Sequence, residues 1–204
     1  MISSLQADAF MDPAGGARPM TVRKAVMHDI RPILTLINGY AARGLMLPRT
    51  EFELSESIRD FTVVTLGPEL LGCGALHFYS PTIGEIRSLA VSESAKTQGV
   101  GRRLVDALVR EAQEYELDAV FAFTYVVEFF QKVGFHAVER GALPLKAWKD
   151  CVRCPKFQAC DEVAVLRVLR PGRWEQAWEQ LAPGPDEQLI QIPHPALVPG
   201  SGYR

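Results

Sequence analysis

Ser88-Leu89-Ala90-Val91, followed after a short spacer by Lys96-Thr97-Gln98-Gly99-Val100-Gly101-Arg102-Arg103, is the stretch on which the fold turns. Glu85 to Val91 is aliphatic enough to read as a strand, and Arg102 to Tyr115 reads as a helix. In that helix Leu104, Ala107, Leu108 and Ala112 form one apolar face, while Arg103, Asp106, Arg110 and Glu114 lie elsewhere, as packing on a sheet requires. Between strand and helix lies a glycine-rich turn. Backbone N–H groups without intrahelical partners and the positive end of the helix dipole meet there, which suits a pyrophosphate, and Arg102 and Arg103 add charge. The loop is too short for a Walker phosphate loop and lacks its Lys-Ser/Thr ending. Nor does the chain open with the strand, glycine loop and helix of a dinucleotide fold. Taken alone, the loop is equally compatible with an ordinary strand-to-helix turn.

Upstream, Thr21 to Ala25 alternates like a strand, and Asp29 or His28 is placed to cap a helix carrying Ile30, Ile33, Leu34 and Ile37. After a break from Gly44 to Pro48, Glu51 to Phe61 offers a second amphipathic helix. Thr62 to Leu66 and Leu71 to Phe78 read as a hairpin across Gly67-Pro68. Downstream come a strand at Asp118 to Phe123, a short helix at Val127 to Val133 ended by Gly134, and a strand at Val163 to Leu169. The expected organisation is a disordered arm over 1–19, one domain over 20–170, and a tail over 171–204 with one short helix from Arg173 to Leu181. Trp174 and Trp178 share a face of that helix and are expected to dock it on the body or on a second subunit.

A chain of 204 residues, 48% hydrophobic, has material for one sizeable core. Its net charge of −2, from 22 basic and 24 acidic side chains, generates no long-range field, so neither nucleic acid nor a membrane is an expected partner. No apolar run approaches the roughly 20 residues of a bilayer span, and the N-terminus lacks the basic start and apolar block of a signal peptide, so the cytoplasm is the expected location. Cys151 and Cys154 have the spacing of a metal knuckle that Cys160 with Asp161 or Cys73 would complete as four zinc ligands, but only one Cys-x-x-Cys pair exists and no metal is assigned. Reduced thiols shaping a pocket and a redox-sensitive pair are the other readings.

Leu89-Ala90-Val91 with the glycine loop resembles the GNAT acetyltransferases, whose loop reads Arg/Gln, two residues, Gly, one residue, Gly/Ala. Lys96 departs at the first position, a minor change for a loop that binds through its backbone. Phe129-Phe130-Gln131-Lys132-Val133-Gly134-Phe135 is similar to the family's Tyr-x-x-x-Gly-Phe segment. The resemblance covers about residues 20–170. It implies an α/β GNAT fold: a mixed, mostly antiparallel central sheet, splayed at the cofactor site and flanked by helices. It also implies acetyl-CoA as cosubstrate, held by Leu89, Ala90, Val91, Lys96, Gln98, Gly99, Val100, Gly101, Arg102, Phe129 and Phe130. Phe130 stands where many members carry a Tyr that protonates the leaving thiolate, which leaves Tyr125, Tyr79, a cysteine, water or unaided departure for that step. Glu85 is the first candidate base and Glu128 the second. By period two, Glu85, Arg87 and Leu89 share a strand face unless a bulge intervenes.

Glu85 to Val91 together with Glu128-Phe129-Phe130, Leu143-Pro144, Lys146-Ala147-Trp148, Cys151-Val152-Arg153-Cys154-Pro155 and Cys160-Asp161-Glu162 resembles the short bacterial N-acetylglutamate synthases of arginine biosynthesis. That resemblance implies L-glutamate as acceptor. Two carboxylates call for cationic partners, and Arg49, Arg87, Ser88, Lys146 and Arg153 are the candidate acceptor-binding residues. A polyamine or aminoglycoside would favour an acidic pocket. Another amine acceptor on the same fold, and a CoA-binding regulatory module without turnover, are the alternatives. Dimers are common in the family, and a homodimer is left open.

Overall fold

The computed structural model describes residues 9–11, 17–139, 143, 156 and 159–174. Its strands are β1 (Ala9–Met11), β2 (Ala17–Lys24), β3 (Phe61–Leu66), β4 (Glu69–Phe78), β5 (Ile83–Val91), β6 (Ala119–Thr124), β7 (His136–Val138) and β8 (Val163–Val168). They are hydrogen-bonded in the order β1-β2-β3-β4-β5-β6-β8-β7. Every pairing is antiparallel except β5 with β6. The helices are α1 (Ile30–Ala41), α2 (Glu51–Ser57), α3 (Val100–Glu114) and α4 (Val127–Lys132). This is the mixed, mostly antiparallel α/β architecture expected.

The helices form two layers. Ile33 and Ile37 of α1 and Leu54 of α2 pack with Cys73, Ala75 and Ala90 on one face of the sheet. Leu108 and Val109 of α3 and Phe130 of α4 pack with Leu76 and Ile86 on the other. Each such aliphatic side chain contributes about 1.5–3 kcal/mol on burial, so the two faces hold the layers in place. Local signals agree with these ends. Thr50 caps α2: Glu53 N–H donates to the Thr50 hydroxyl at 3.2 Å, and Thr50 N–H donates to the Glu53 carboxylate at 2.9 Å. Asp29, rather than His28, organises the entry to α1. Its carboxylate accepts from Val26 N–H at 2.8 Å and is gripped by Arg23 at 2.6 and 2.9 Å.

The central strands separate. β5 and β6 pair only from Ile83 with Ala119 to Glu85 with Phe121, whereas β5 runs on to Val91 and β6 stays paired with β8 as far as Thr124. The split begins beside a bulge. On β4 the step from Ala75 to Cys73 is matched on β5 by the longer step from Arg87 to Ala90, and Ser88 takes φ 54°. An extra residue bends and twists its strand, which turns β5 away from β6.

Three expectations are corrected. Residues 9–11 and 17–19, placed in a disordered arm, pair as antiparallel strands, Ala9 with Pro19 through Met11 with Ala17. β7 was not expected, because three residues are too few to show a period. The bulge at Ser88 breaks the shared face of Glu85, Arg87 and Leu89. Leu89 turns toward Leu108 of α3, and Ala90 resumes the face of Glu85 and Arg87 beside Cys73. In the C-terminal segment residues 171–174 are helical, and Trp174 packs against the buried cluster that includes Ile83, Phe121 and Leu143, which is docking on the body. Trp178 and the rest of that helix lie outside the described residues.

Candidate active site

The loop at the top of β5 is built to leave donors free. Thr97 and Gly99 both take positive φ, 72° and 76°, so the chain turns sharply into α3, and Gly99 is the residue before its first turn. A side chain at that φ is strained, which explains the glycine. The first internal bond of the helix is Arg103 N–H to Gly99 O at 3.0 Å. Among the described residues, no protein acceptor takes the N–H groups of Gly99, Val100, Gly101 or Arg102. Gly101 is small for a second reason: a Cβ there would lie 3.2 Å from the Phe129 ring. Phe129 thus stands against the helix start, at the open side of the split.

The side chains around the loop hold it in shape. Gln98 Nε2 donates back to Ser94 O at 2.8 Å. Lys96 pairs with Glu93 at 2.7 Å, and Arg43 from the end of α1 reaches the same carboxylate at 2.9 Å. Those two cations hold the Glu93 carboxyl below the usual carboxylate range, Lys96 more than Arg43. Arg43 lies 4.3 Å from the centre of the Tyr40 ring, and the Tyr40 hydroxyl donates to Val91 O at 2.6 Å. Ser92 N–H returns to Leu71 O on β4 at 2.8 Å. By strand alternation the polar groups of Val91 and Leu89 therefore point away from β4, toward the gap left by β6. Arg102 is exposed near Asp106. Val100 and Ala90 are buried and offer only their backbones, and Phe130 is buried edge-on between Phe129 and Phe135. Phe130, named with the cofactor-holding residues, is thus a core residue behind Phe129.

On the α1 and α2 face, Glu85 is buried and accepts from the Tyr79 hydroxyl at 3.1 Å. His77 lies directly across the ladder from Glu85, and its Nδ1 is 3.2 Å from Asp60. Arg87 follows two residues on from Glu85 and is half-buried, as is Ser88. Ser88 O receives the Cys73 thiol at 3.7 Å, and burial pushes that thiol up to about 12, so it is neutral. Arg49 sits in the connection between α1 and α2, half-buried, its backbone bonded to Asn38 and its guanidinium without an ion-pair partner among the described residues. Glu128 is exposed in the first turn of α4, in the layer opposite Glu85. Tyr125 donates to Asp161 at 2.9 Å and accepts from Lys156 at 3.1 Å. Burial first, and then the Asp161 contact, hold its phenol above the ordinary range.

The family model described as Acetyltransferase (GNAT) family matches residues 28–135, from the entry to α1 through the end of α4. The chain belongs to the GNAT acetyltransferases. An uncharacterized N-acetyltransferase, CT2212, of Chlorobaculum tepidum is 39% identical over 148 residues, covering 72% of this chain and 96% of that protein. The amino-acid acetyltransferase of Mycobacterium tuberculosis is 35% identical over 139 residues, 67% of this chain and 79% of that protein. Among solved structures, N-acetylglutamate synthase from Neisseria gonorrhoeae, complexed with coenzyme A and N-acetyl-glutamate, superimposes with a TM-score of 0.68 at 29% identity. The match covers 74% of this chain and 35% of that longer one.

Within this acetyltransferase, the free N–H groups of the loop and the outward edge of Leu89 and Val91 fit the pyrophosphate and amide arm of a CoA thioester. Of the acceptor-side residues, the structure brings Glu85, Arg87 and Ser88 together on one strand. Lys146, Arg153, Cys151 and Cys154 lie outside the described residues. Among the described residues no group of three His, Cys, Asp or Glu side chains is placed to hold a metal, and no helix is long and apolar enough to cross a membrane. Sequence reasoning missed Asn38 and Tyr40, and it named Tyr79 only as a proton donor. A polar residue on an amphipathic helix carries no signal of the distant backbone it contacts.

Proposed function

We propose that this acetyltransferase moves the acetyl group of acetyl-CoA to the α-amino group of L-glutamate by direct transfer, the first step of arginine biosynthesis. The observation that carries the reading is the placement of Arg87 on the face of Glu85, immediately before the bulge at which the cofactor edge begins. A base, a carboxylate-binding fork and a thioester edge on one strand are the parts that an acidic amino acid requires. The N-acetyl-glutamate held by the Neisseria gonorrhoeae enzyme supports the same acceptor.

In this account the loop N–H groups hold the pyrophosphate, and the β5 edge aligns the pantetheine arm so that the thioester lies in the split. Arg87 and Arg49 take the acceptor carboxylates, with Ser88, Lys146 and Arg153 as further contacts. Glu85, through water, takes a proton from the acceptor ammonium. The neutral amine attacks the thioester carbonyl; the C–N bond forms, the C–S bond breaks, and the nitrogen's second proton passes to solvent. A backbone N–H at the bulge polarises the carbonyl. A thiol with a pKa of about 8.5 leaves as thiolate without an acid at the position of Phe130.

Free-thiol release is the test, measured with acetyl-CoA and each of the twenty amino acids plus spermidine, on wild type and Arg87→Ala. Release selective for glutamate and lost in the variant is the expected result. Release with spermidine alone keeps the acetyltransferase and discards the acceptor. Acetyl-CoA binding without release for any acceptor points to a regulatory module.

A further inference from the structure

We propose that Tyr79 is the positioning residue of Glu85, holding its carboxylate ionised and aimed at the acceptor amine. The inference rests on the reading of Glu85 as base and adds a residue through which that base is controlled. Tyr79 closes β4 onto β5: its N–H donates to Ile83 O at 3.0 Å, which places its side chain diagonally across from Glu85. From there the phenol O–H donates to Glu85 Oε2 at 3.1 Å. A donor to the ionised form of a carboxyl favours that form.

The phenol is itself fixed by rings on both sides. His77 stands edge-on at 5.1 Å between centroids, and Phe121 of β6 is tilted at 5.5 Å. His77 is in turn held by Asp60 at 3.2 Å. The tyrosine therefore has little freedom to swing away, and the carboxylate it holds is buried on the strand that carries Arg87 and the bulge. Among the described residues, His77, Tyr79 and Arg87 face Glu85 across the ladder and along its own strand, with Asp60 behind His77; Phe121 on β6 is apolar.

The chemistry balances without a further reactant. The acceptor ammonium gives one proton, through water, to the Glu85 carboxylate, which becomes the acid and later returns that proton to solvent. The phenol keeps its own proton throughout. Losing the phenol removes a hydrogen bond that favours the charged form over the neutral one, so the carboxyl of Glu85 titrates higher and a smaller fraction is ionised on the acid side of its titration.

The test is Tyr79→Phe, which keeps the ring packing, read in two ways on folded protein that binds acetyl-CoA. In the first, the carboxyl of Glu85 is titrated by carbon-13 NMR with no acceptor present. It is expected to titrate about one pH unit higher in Tyr79→Phe than in wild type. Equal titration in the two proteins overturns the proposal whatever the acceptor proves to be. In the second, thiol release with glutamate is followed against pH. The acid limb of kcat/KM moves up by about one unit, kcat measured on that acid limb falls about tenfold, and KM for acetyl-CoA is unchanged. In the Glu85→Gln background the same substitution changes kcat by less than about twofold. A tenfold loss persisting in that background makes Tyr79 independent of Glu85 and contradicts the proposal. Wild type that shows the NMR difference but no release with glutamate refutes the acceptor reading while leaving Tyr79 as the residue that sets Glu85.

Discussion

Asn38 grips the backbone of Arg49 from both sides: its Nδ2 donates to Arg49 O at 3.0 Å, and Arg49 N–H donates to its Oδ1 at 2.9 Å. An α1 side chain thereby fixes the connection that leads into α2, and with it the root of a half-buried guanidinium. The backbone from which that guanidinium projects is fixed, and among the described residues no carboxylate is paired with it.

Asn38→Ala removes both bonds, each worth about 0.5–1.5 kcal/mol, and frees the connection. KM for glutamate is expected to rise about tenfold, with KM for acetyl-CoA within about twofold of wild type. Steady-state kinetics in both substrates check this. Equal rises in the two KM values assign Asn38 to general stability.

Tyr40 does the corresponding work on the cofactor side. Its hydroxyl anchors the Val91 carbonyl, and its ring lies beside Arg43 and Lys96, which share Glu93. Tyr40→Phe loosens the outward edge of β5 and the approach to the glycine loop. Losing one such bond raises KM for acetyl-CoA about three- to tenfold and leaves KM for glutamate unchanged. Titration calorimetry with CoA gives an independent reading, and unchanged CoA affinity contradicts the assignment.

Asp29 ties the start of α1 to β2. The Arg23 hydrogen bonds first, then Val26 N–H, hold its carboxyl below the usual carboxylate range against the opposing effect of burial. A depressed carboxyl stabilises the folded state above its unfolded pKa, and that contribution is lost as pH falls through the folded pKa. Asp29→Asn therefore costs about 1.5–3 kcal/mol at neutral pH, and the gap from wild type narrows below about pH 4 as Asp29 itself protonates. Urea unfolding at neutral and acid pH measures the gap. A gap of constant size would falsify the ionic origin of the effect.

Much of the cofactor side was legible in the sequence because its signals are local. A strand, a glycine loop and an amphipathic helix follow one another, and Gly99 and Gly101 stand where a positive φ and the Phe129 ring demand them. The acceptor side was less legible. The bulge sits on Ser88, a residue type without special preference for φ 54°, so period two misplaced Leu89. Phe130 was named with the cofactor-holding residues because its motif position says nothing of the rings of Phe129 and Phe135 that enclose it. The contacts of Asn38 with Arg49, Tyr40 with Val91 and Tyr79 with Glu85 join side chains to partners fixed by tertiary packing, which no local period encodes.

A competition assay tests the central claim most directly: carbon-13-labelled acetyl-CoA is offered with an equimolar mixture of the twenty amino acids and spermidine, and the labelled products are identified by mass. The account predicts N-acetylglutamate as the dominant product, falling at least about tenfold in Arg87→Ala, as loss of a charge-assisted carboxylate contact implies. A dominant product other than N-acetylglutamate, or glutamate acetylation that survives Arg87→Ala undiminished, contradicts it.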